Sequence, residues 1–191
     1  YDVDALELPP NWNDDLADRP AIYRRQRQIS AHLDQRAWRE ARACYYGRIT
    51  ELDEQFGRLM TLLDGAGALD DTLVVFLSDH GRYVGAHGFD AHNFGAFEEI
   101  YRIPLIVAGP GVARGAVSEA LVGIHDVCPT LLELAGAEPI DVPDSASFAR
   151  MLAEPGRVAS PFDWGYAEYQ GTRFPLMQRV YWHQNWKLAF N

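Results

Sequence analysis

The chain has 191 residues, 48% of them apolar, with 17 Lys and Arg against 27 Asp and Glu and a net charge of −10. That length supports a domain with its own core, and the acidic balance argues against non-specific binding to nucleic acid. No apolar run approaches the roughly 18 to 20 residues of a membrane span, and Tyr1-Asp2-Val3-Asp4 lacks the basic and apolar parts of a signal peptide.

Residues 1 to about 28 carry Pro9-Pro10 and Pro20, with scattered anchors at Trp12, Leu16 and Ile22. This predicts a surface-hugging segment without long regular elements. A helix is predicted from about Ile29 to Leu63. Ile49, Leu52, Phe56, Leu59, Met60 and Leu63 recur on one face, and Gly65 and Gly67 end it. Gly47 and Gly57 inside it each cost roughly 1 kcal/mol relative to Ala, so close packing against a neighbour is expected there. Cys44 on this helix, and Cys128 further on, are expected as buried free thiols.

The next stretch, Thr72-Leu73-Val74-Val75-Phe76-Leu77-Ser78-Asp79-His80-Gly81, is an apolar, β-branched run that ends in a carboxylate, an imidazole and a glycine. It reads as a buried parallel strand, and ligand crevices in open α/β sheets lie outside such carboxyl ends. Asp79 and His80 offer one hard oxygen and one nitrogen to a divalent cation. The alternative is that Asp79 caps a helix and His80 is incidental. The segment that follows is too long and polar for a simple connection, and His80, His87 and His92 fall within 13 residues. A second strand, Ile103 to Ala108, closes it at Gly109-Pro110-Gly111.

Ala116 to Ile124 is apolar. His125-Asp126 precedes a helix that stops at Gly136, with Asp126 read as its N-cap and Pro129 in its first turn. Pro139 to Pro161 is a connector containing one short helical piece, Phe148 to Leu152. Trp164 to Tyr169 reads as a strand, and Arg179 to Trp182 and Trp186 to Phe190 as a hairpin around His183-Gln184-Asn185.

In their order and spacing, these pieces resemble the sulfatase family of the alkaline-phosphatase-like superfamily. The matching residues are Ser78-Asp79-His80-Gly81, Gly85-Ala86-His87-Gly88, Glu98-Glu99 and Arg102-Ile103-Pro104-Leu105-Ile106-Val107. Tyr45 to Leu59 is similar to the family's helix before that strand, and Asp126 to Gly136 to its next helix. The resemblance implies an α/β fold: a mostly parallel sheet flanked by helices, incomplete, followed by the start of a small antiparallel α+β subdomain. Residues 1–140 would belong to the first part and 141–191 to the connector and the second.

The activity implied is hydrolysis of a small-molecule or saccharide sulfate ester at a divalent metal. The metal is calcium first, with manganese or zinc as alternatives, and its ligands here are Asp79 and His80. Many members have Asn where His80 stands, and the His form also occurs in members that cleave phosphonate and phosphate esters. A cation, usually Lys, contacts the ester 13 positions after the metal-binding Asp; here that residue is His92. It is the candidate catalytic and substrate-binding residue, with His87 a second substrate contact or a loop-stabilising donor.

The family makes its formylglycine nucleophile from a Cys in a Cys-x-Pro-Ser-Arg context. Cys44-Tyr45-Tyr46-Gly47-Arg48 departs from this at its third and fourth positions, and Cys128-Pro129-Thr130-Leu131 departs throughout. The expectation is therefore the C-terminal part of a longer sulfatase, with half a metal site, no nucleophile and no activity alone. The other readings are a phosphodiesterase or phosphonate monoester hydrolase of the same superfamily, and a non-catalytic metal-binding or structural fragment. No nucleic-acid or membrane partner is expected, whereas self-association through an uncovered apolar edge is. The sequence reads as soluble, with cytoplasm and periplasm both open.

Overall fold

Asp34 sets where the long helix begins. In the computed structural model, which describes residues 1–90, 94–171 and 176–190, its carboxylate accepts from the Ala37 N–H at 2.8 Å. This is an N-cap bond that satisfies one of the otherwise orphaned donors of the first turn. Helix α2 then runs Gln35–Gly65. The helix expected from Ile29 onward is thus divided by the turn at 30–34. Another helix, α1 (Ala21–Ile29), lies where an irregular segment was expected. Pro20 precedes it with φ −52°, already close to the helical value.

The chain forms two units, Tyr1–Leu69 with His80–Ile103, and Asp70–Asp79 with Pro104–Asn191. The core of the first is aromatic. Leu16, Phe89 and Phe94 are fully buried, with Tyr23, Trp38 and Tyr83 nearly so. Tyr23 packs on Phe94 at 5.2 Å and Tyr83 edge-on to Phe89 at 5.0 Å between ring centroids. Such tilted and edge-on pairs suit the ring quadrupoles. A short helix, α3 (Glu98–Tyr101), completes this unit.

The predicted apolar face of α2 is covered only in part: Phe56, Met60 and Leu63 are half-buried, whereas Ile49, Leu52 and Leu59 are exposed, and the helix's buried residue is Trp38. The packing expected at Gly47 and Gly57 is missing too, since a Cβ at either would have nothing within 4 Å. Cys44 and Cys128 are free, as expected, but exposed rather than buried.

In the second unit, β1 (Val74–Leu77) and β2 (Leu105–Ala108) pair antiparallel, with Phe76 opposite Ile106. A parallel strand was expected at β1. The segment between the strands closes at its own neck, where the Gly81 N–H donates to the Ile100 carbonyl at 2.9 Å. It therefore returns the chain reversed, without a crossover helix. Both Phe76 and Ile106 are exposed. Gly109, at φ 139°, is required after β2, because a Cβ there would lie 2.6 Å from the Thr72 carbonyl oxygen.

Helices α4 (Val127–Leu134) and α5 (Ala149–Ala153) follow. Asp126 stands at the start of α4, but its buried carboxylate accepts from the Gly123 N–H at 2.8 Å and the Ala146 N–H at 3.0 Å. It ties two loops together instead of capping the helix. The small sheet runs β3 (Trp164–Gln170), β4 (Met177–His183), β5 (Trp186–Phe190), antiparallel throughout, with Val180 at its buried centre. The fold is α/β, ending in this small antiparallel sheet. No helix among the described residues is long and apolar enough to cross a membrane.

Candidate metal and ester site

Strand β1 stops at Leu77, and the chain then presents Asp79, exposed, and His80, half-buried. The boundary between the two units falls at the peptide bond joining them. His80 Nδ1 lies 2.9 Å from the carbonyl oxygen of Gly81. A carbonyl only accepts, so Nδ1 carries a hydrogen in this contact. Metal-binding histidines are commonly oriented by this kind of bond from their other nitrogen. Gly81 makes the turn possible. A Cβ there would lie 1.8 Å from the Glu99 carbonyl oxygen, so only glycine lets the two backbones meet.

Beyond Gly81 the backbone is strained. Val84 and His87 have φ of 46° and 55°, and Gly85 and Gly88, each next in chain to one of them, have 95° and 69°. Left-handed backbone in non-glycine residues costs on the order of 1–3 kcal/mol each and persists where the surroundings dictate it. Here the surroundings do so from several sides. Arg42 Nη1 donates to the Val84 carbonyl at 3.0 Å and Ser30 Oγ to the Gly88 carbonyl at 3.2 Å. The His87 N–H donates to the Asn11 carbonyl at 3.1 Å.

The His87 ring is buried and engaged on every side. Its Nδ1 donates to Asp14 Oδ2 at 2.7 Å. Its Nε2 lies 3.0 Å from Asn11 Nδ2 and 3.4 Å from Glu99 Oε1. Asn11 Nδ2 also donates to Glu99 Oε1 at 2.8 Å. The Phe97 ring stacks on the imidazole at 3.8 Å.

These contacts fit a neutral ring, with the Asn11 amide giving one hydrogen to Nε2 and one to Glu99. They also receive a proton readily, because Nε2–H can then turn to Glu99. Burial opposes the charge on His87, but the hydrogen bonds to Glu99 and Asp14 and the charge on both carboxylates outweigh it and raise its pKa. On the other side, the His87 hydrogen bond, working against burial, brings Glu99 down to about 2. Asp14 is lowered first by the Leu16 backbone N–H, which outweighs burial, and then by His87. Burial pushes the Tyr83 phenol up.

Of the expected site residues, Asp79 and His80 thus lie at the end of β1, and His87 lies inside this network of the first unit. His92 lies outside the described residues. Among the described residues, no three His, Cys, Asp or Glu side chains gather as a metal cluster. Sequence reading missed Asn11 and Asp14 as partners of His87. They stand 76 and 73 residues away, in a segment with no periodic signal.

A family model described as Sulfatase matches residues 9–137. The chain is 40% identical over 136 residues to the multifunctional alkaline phosphatase superfamily protein PehA of Trinickia caryophylli, covering 70% of this chain and 26% of that protein. It is 33% identical over 165 residues to an N-acetylglucosamine-6-O-sulfatase of Bacteroides thetaiotaomicron, covering 85% of this chain and 29% of that protein. The chain therefore spans between a quarter and a third of the length of these relatives. Among solved structures, a phosphonate monoester hydrolase from Silicibacter pomeroyi matches with a TM-score of 0.84 at 25% identity, covering 100% of this chain and 43% of that one.

Proposed function

Because the chain belongs to the sulfatase family, we propose that the protein containing it is a sulfuric ester hydrolase, to whose divalent-metal site it contributes Asp79 and His80. The observation that supports this reading is the contact of His80 Nδ1 with the Gly81 carbonyl at 2.9 Å, a bond of the kind that orients metal-binding imidazoles. A carboxylate oxygen and an imidazole nitrogen are a chemically fitting part of such a site. Bound there, the cation would polarise the ester oxygens and offset the charge that develops as the sulfuryl group is transferred. Calcium takes about six to eight oxygens, so further ligands and water are needed. The ring nitrogen equally suits manganese or zinc.

His92 follows Asp79 at the family's interval for the residue that contacts the ester. Its imidazole can donate to an ester oxygen or give a proton to the leaving alcohol. For His87 the geometry favours holding the loop over touching an ester, since both ring nitrogens are occupied within the protein. Neither Cys44 nor Cys128 stands in the sequence context that yields formylglycine, so no step is assigned to that group on this chain. Residues 1–140 are proposed to belong to the main sulfatase domain, and 141–191 to the connector and small antiparallel subdomain. The substrate is proposed to be a small-molecule or saccharide sulfate ester.

The likeness to a phosphonate monoester hydrolase from Silicibacter pomeroyi supports a second reading, a phosphodiesterase or phosphonate monoester hydrolase. Rates of the full protein on an aryl sulfate and an aryl phosphodiester separate the two. Faster sulfate cleavage supports the first reading, and faster phosphodiester cleavage the second.

A further inference from the structure

The network around His87 reaches, in two steps, the residue on which the metal reading rests. Glu99 binds the His87 side with its carboxylate, through Asn11 at 2.8 Å and the ring at 3.4 Å. Its backbone faces Gly81, the residue after His80, at a separation that admits no Cβ. The next peptide locks the same place, because the Gly81 N–H donates to the Ile100 carbonyl at 2.9 Å. Gly81 in turn supplies the carbonyl that orients His80.

At its other end, the ring fastens the amino-terminal arm. Asp14 accepts from Nδ1, and Asn11 accepts from the His87 backbone N–H. Arg27 fixes that arm from α1, donating to the Asp14 carbonyl and to Asn13 Oδ1. The charged and titratable groups around the ring are thus Asp14 from the arm, Glu99 from α3, Tyr83 edge-on from the loop itself, and Arg19, which lies over the stacked Phe97.

We propose that His87 is a positioning residue: it clasps the 11–14 arm to the loop and, through Glu99, holds the Gly81 turn that presents His80. The proposal rests on the reading of His80 as a metal ligand, and it adds a residue that touches neither metal nor ester. A ring buried only to fill space would need none of these bonds. A left-handed backbone at a non-glycine residue, two carboxylates and an amide bridge are what hold a ring at one orientation.

The test uses the 191-residue chain with His87→Gln, and with Asp14→Asn as a milder variant that keeps the shape of the clasp. Amide exchange reads the Gly81 N–H, and imidazole ¹⁵N shifts read which nitrogen of His80 carries the hydrogen. Titration with calcium or manganese alone reads the metal. The expected result is Gly81 exchange at least tenfold faster in His87→Gln, with the β3–β5 amides unchanged. The His80 shifts should move toward a mixture of tautomers, and metal affinity should fall. Asp14→Asn should give the same changes, smaller. Unaltered Gly81 exchange and His80 shifts in a folded variant overturn the clasp. Altered exchange and shifts with unaltered metal affinity uphold the clasp and overturn the assignment of His80 to the metal. If His87→Gln does not fold, the same criteria apply to Asp14→Asn.

Discussion

Gly81 lies so close to Glu99 that a β-carbon at position 81 would fall 1.8 Å from the Glu99 carbonyl oxygen. The obstacle is backbone, not the flexible end of a side chain, so Gly81→Ala forces the loop neck apart. A cost of about 1–3 kcal/mol is expected, in the range of overpacked sites. Chemical denaturation of the two proteins checks it. An unchanged midpoint would show that the contact yields without strain.

The raised pKa of His87 predicts a pH-dependent stability. The folded state holds the His87 proton more tightly than the unfolded chain, where its pKa is about 6.5. The proton's contribution is therefore complete below about pH 6.5 and is lost as pH rises through the higher folded value. Melting temperature should fall across that interval in the native protein and stay flat in His87→Gln. Parallel curves for the two would remove His87 as the cause.

Glu99 gives the opposite limb. Its folded pKa lies at about 2, below the ordinary 4.5. Its stabilisation is present above pH 4.5 and disappears as pH falls toward 2. Glu99→Gln should cost on the order of 1–2 kcal/mol at neutral pH, a figure kept modest because the carboxyl is 30% exposed. The variant should also lose less stability on acidification, which an acid-unfolding titration measures.

Helix α2 offers a stabilising change. Gly57 is helical and a Cβ there meets nothing within 4 Å. Gly57→Ala should raise stability by about 0.5–1 kcal/mol, by lowering the entropy of the unfolded chain. Thermal unfolding decides it, and a lower melting temperature would mean that the glycine answers to a contact made by something other than this chain.

The uncovered apolar surface predicts association. Leu52 and Leu62 on α2 and Trp186 on β5 are 62%, 71% and 80% exposed. An exposed edge strand and large apolar patches both promote self-association. The 191-residue chain should show concentration-dependent size in sedimentation, reduced by Leu52→Glu with Leu62→Glu. A monodisperse monomer at high concentration would contradict this.

Much of the layout was legible because it is local. The apolar run before Asp79 marks β1, the alternation from Trp164 onward marks β3, and His183-Gln184-Asn185 marks the turn between β4 and β5, with Gln184 at φ 51°. The family pattern singled out Asp79 and His80 for the same reason, since the two are adjacent in the chain. What escaped was set by distant partners. Whether β1 is buried or paired parallel depends on its neighbour, and the neighbour is an antiparallel β2 that leaves Phe76 open. Burial of Cys44 and the apolar face of α2 depends on a covering surface that helical spacing does not reveal. Two partners of His87, Asn11 and Asp14, come from the amino-terminal segment, and no local pattern announces a contact across more than 70 residues.

The most direct test of the metal assignment compares Asp79→Ala and His92→Ala in the full protein, following aryl sulfate hydrolysis as calcium or manganese is varied. Losing a metal ligand should cost more turnover than losing one donor to the ester. Asp79→Ala should also shift the metal concentration for half-maximal rate upward, while His92→Ala raises KM or lowers kcat at an unchanged metal requirement. Near-normal turnover in Asp79→Ala beside a dead His92→Ala would contradict the placement of the strand-end pair on the metal.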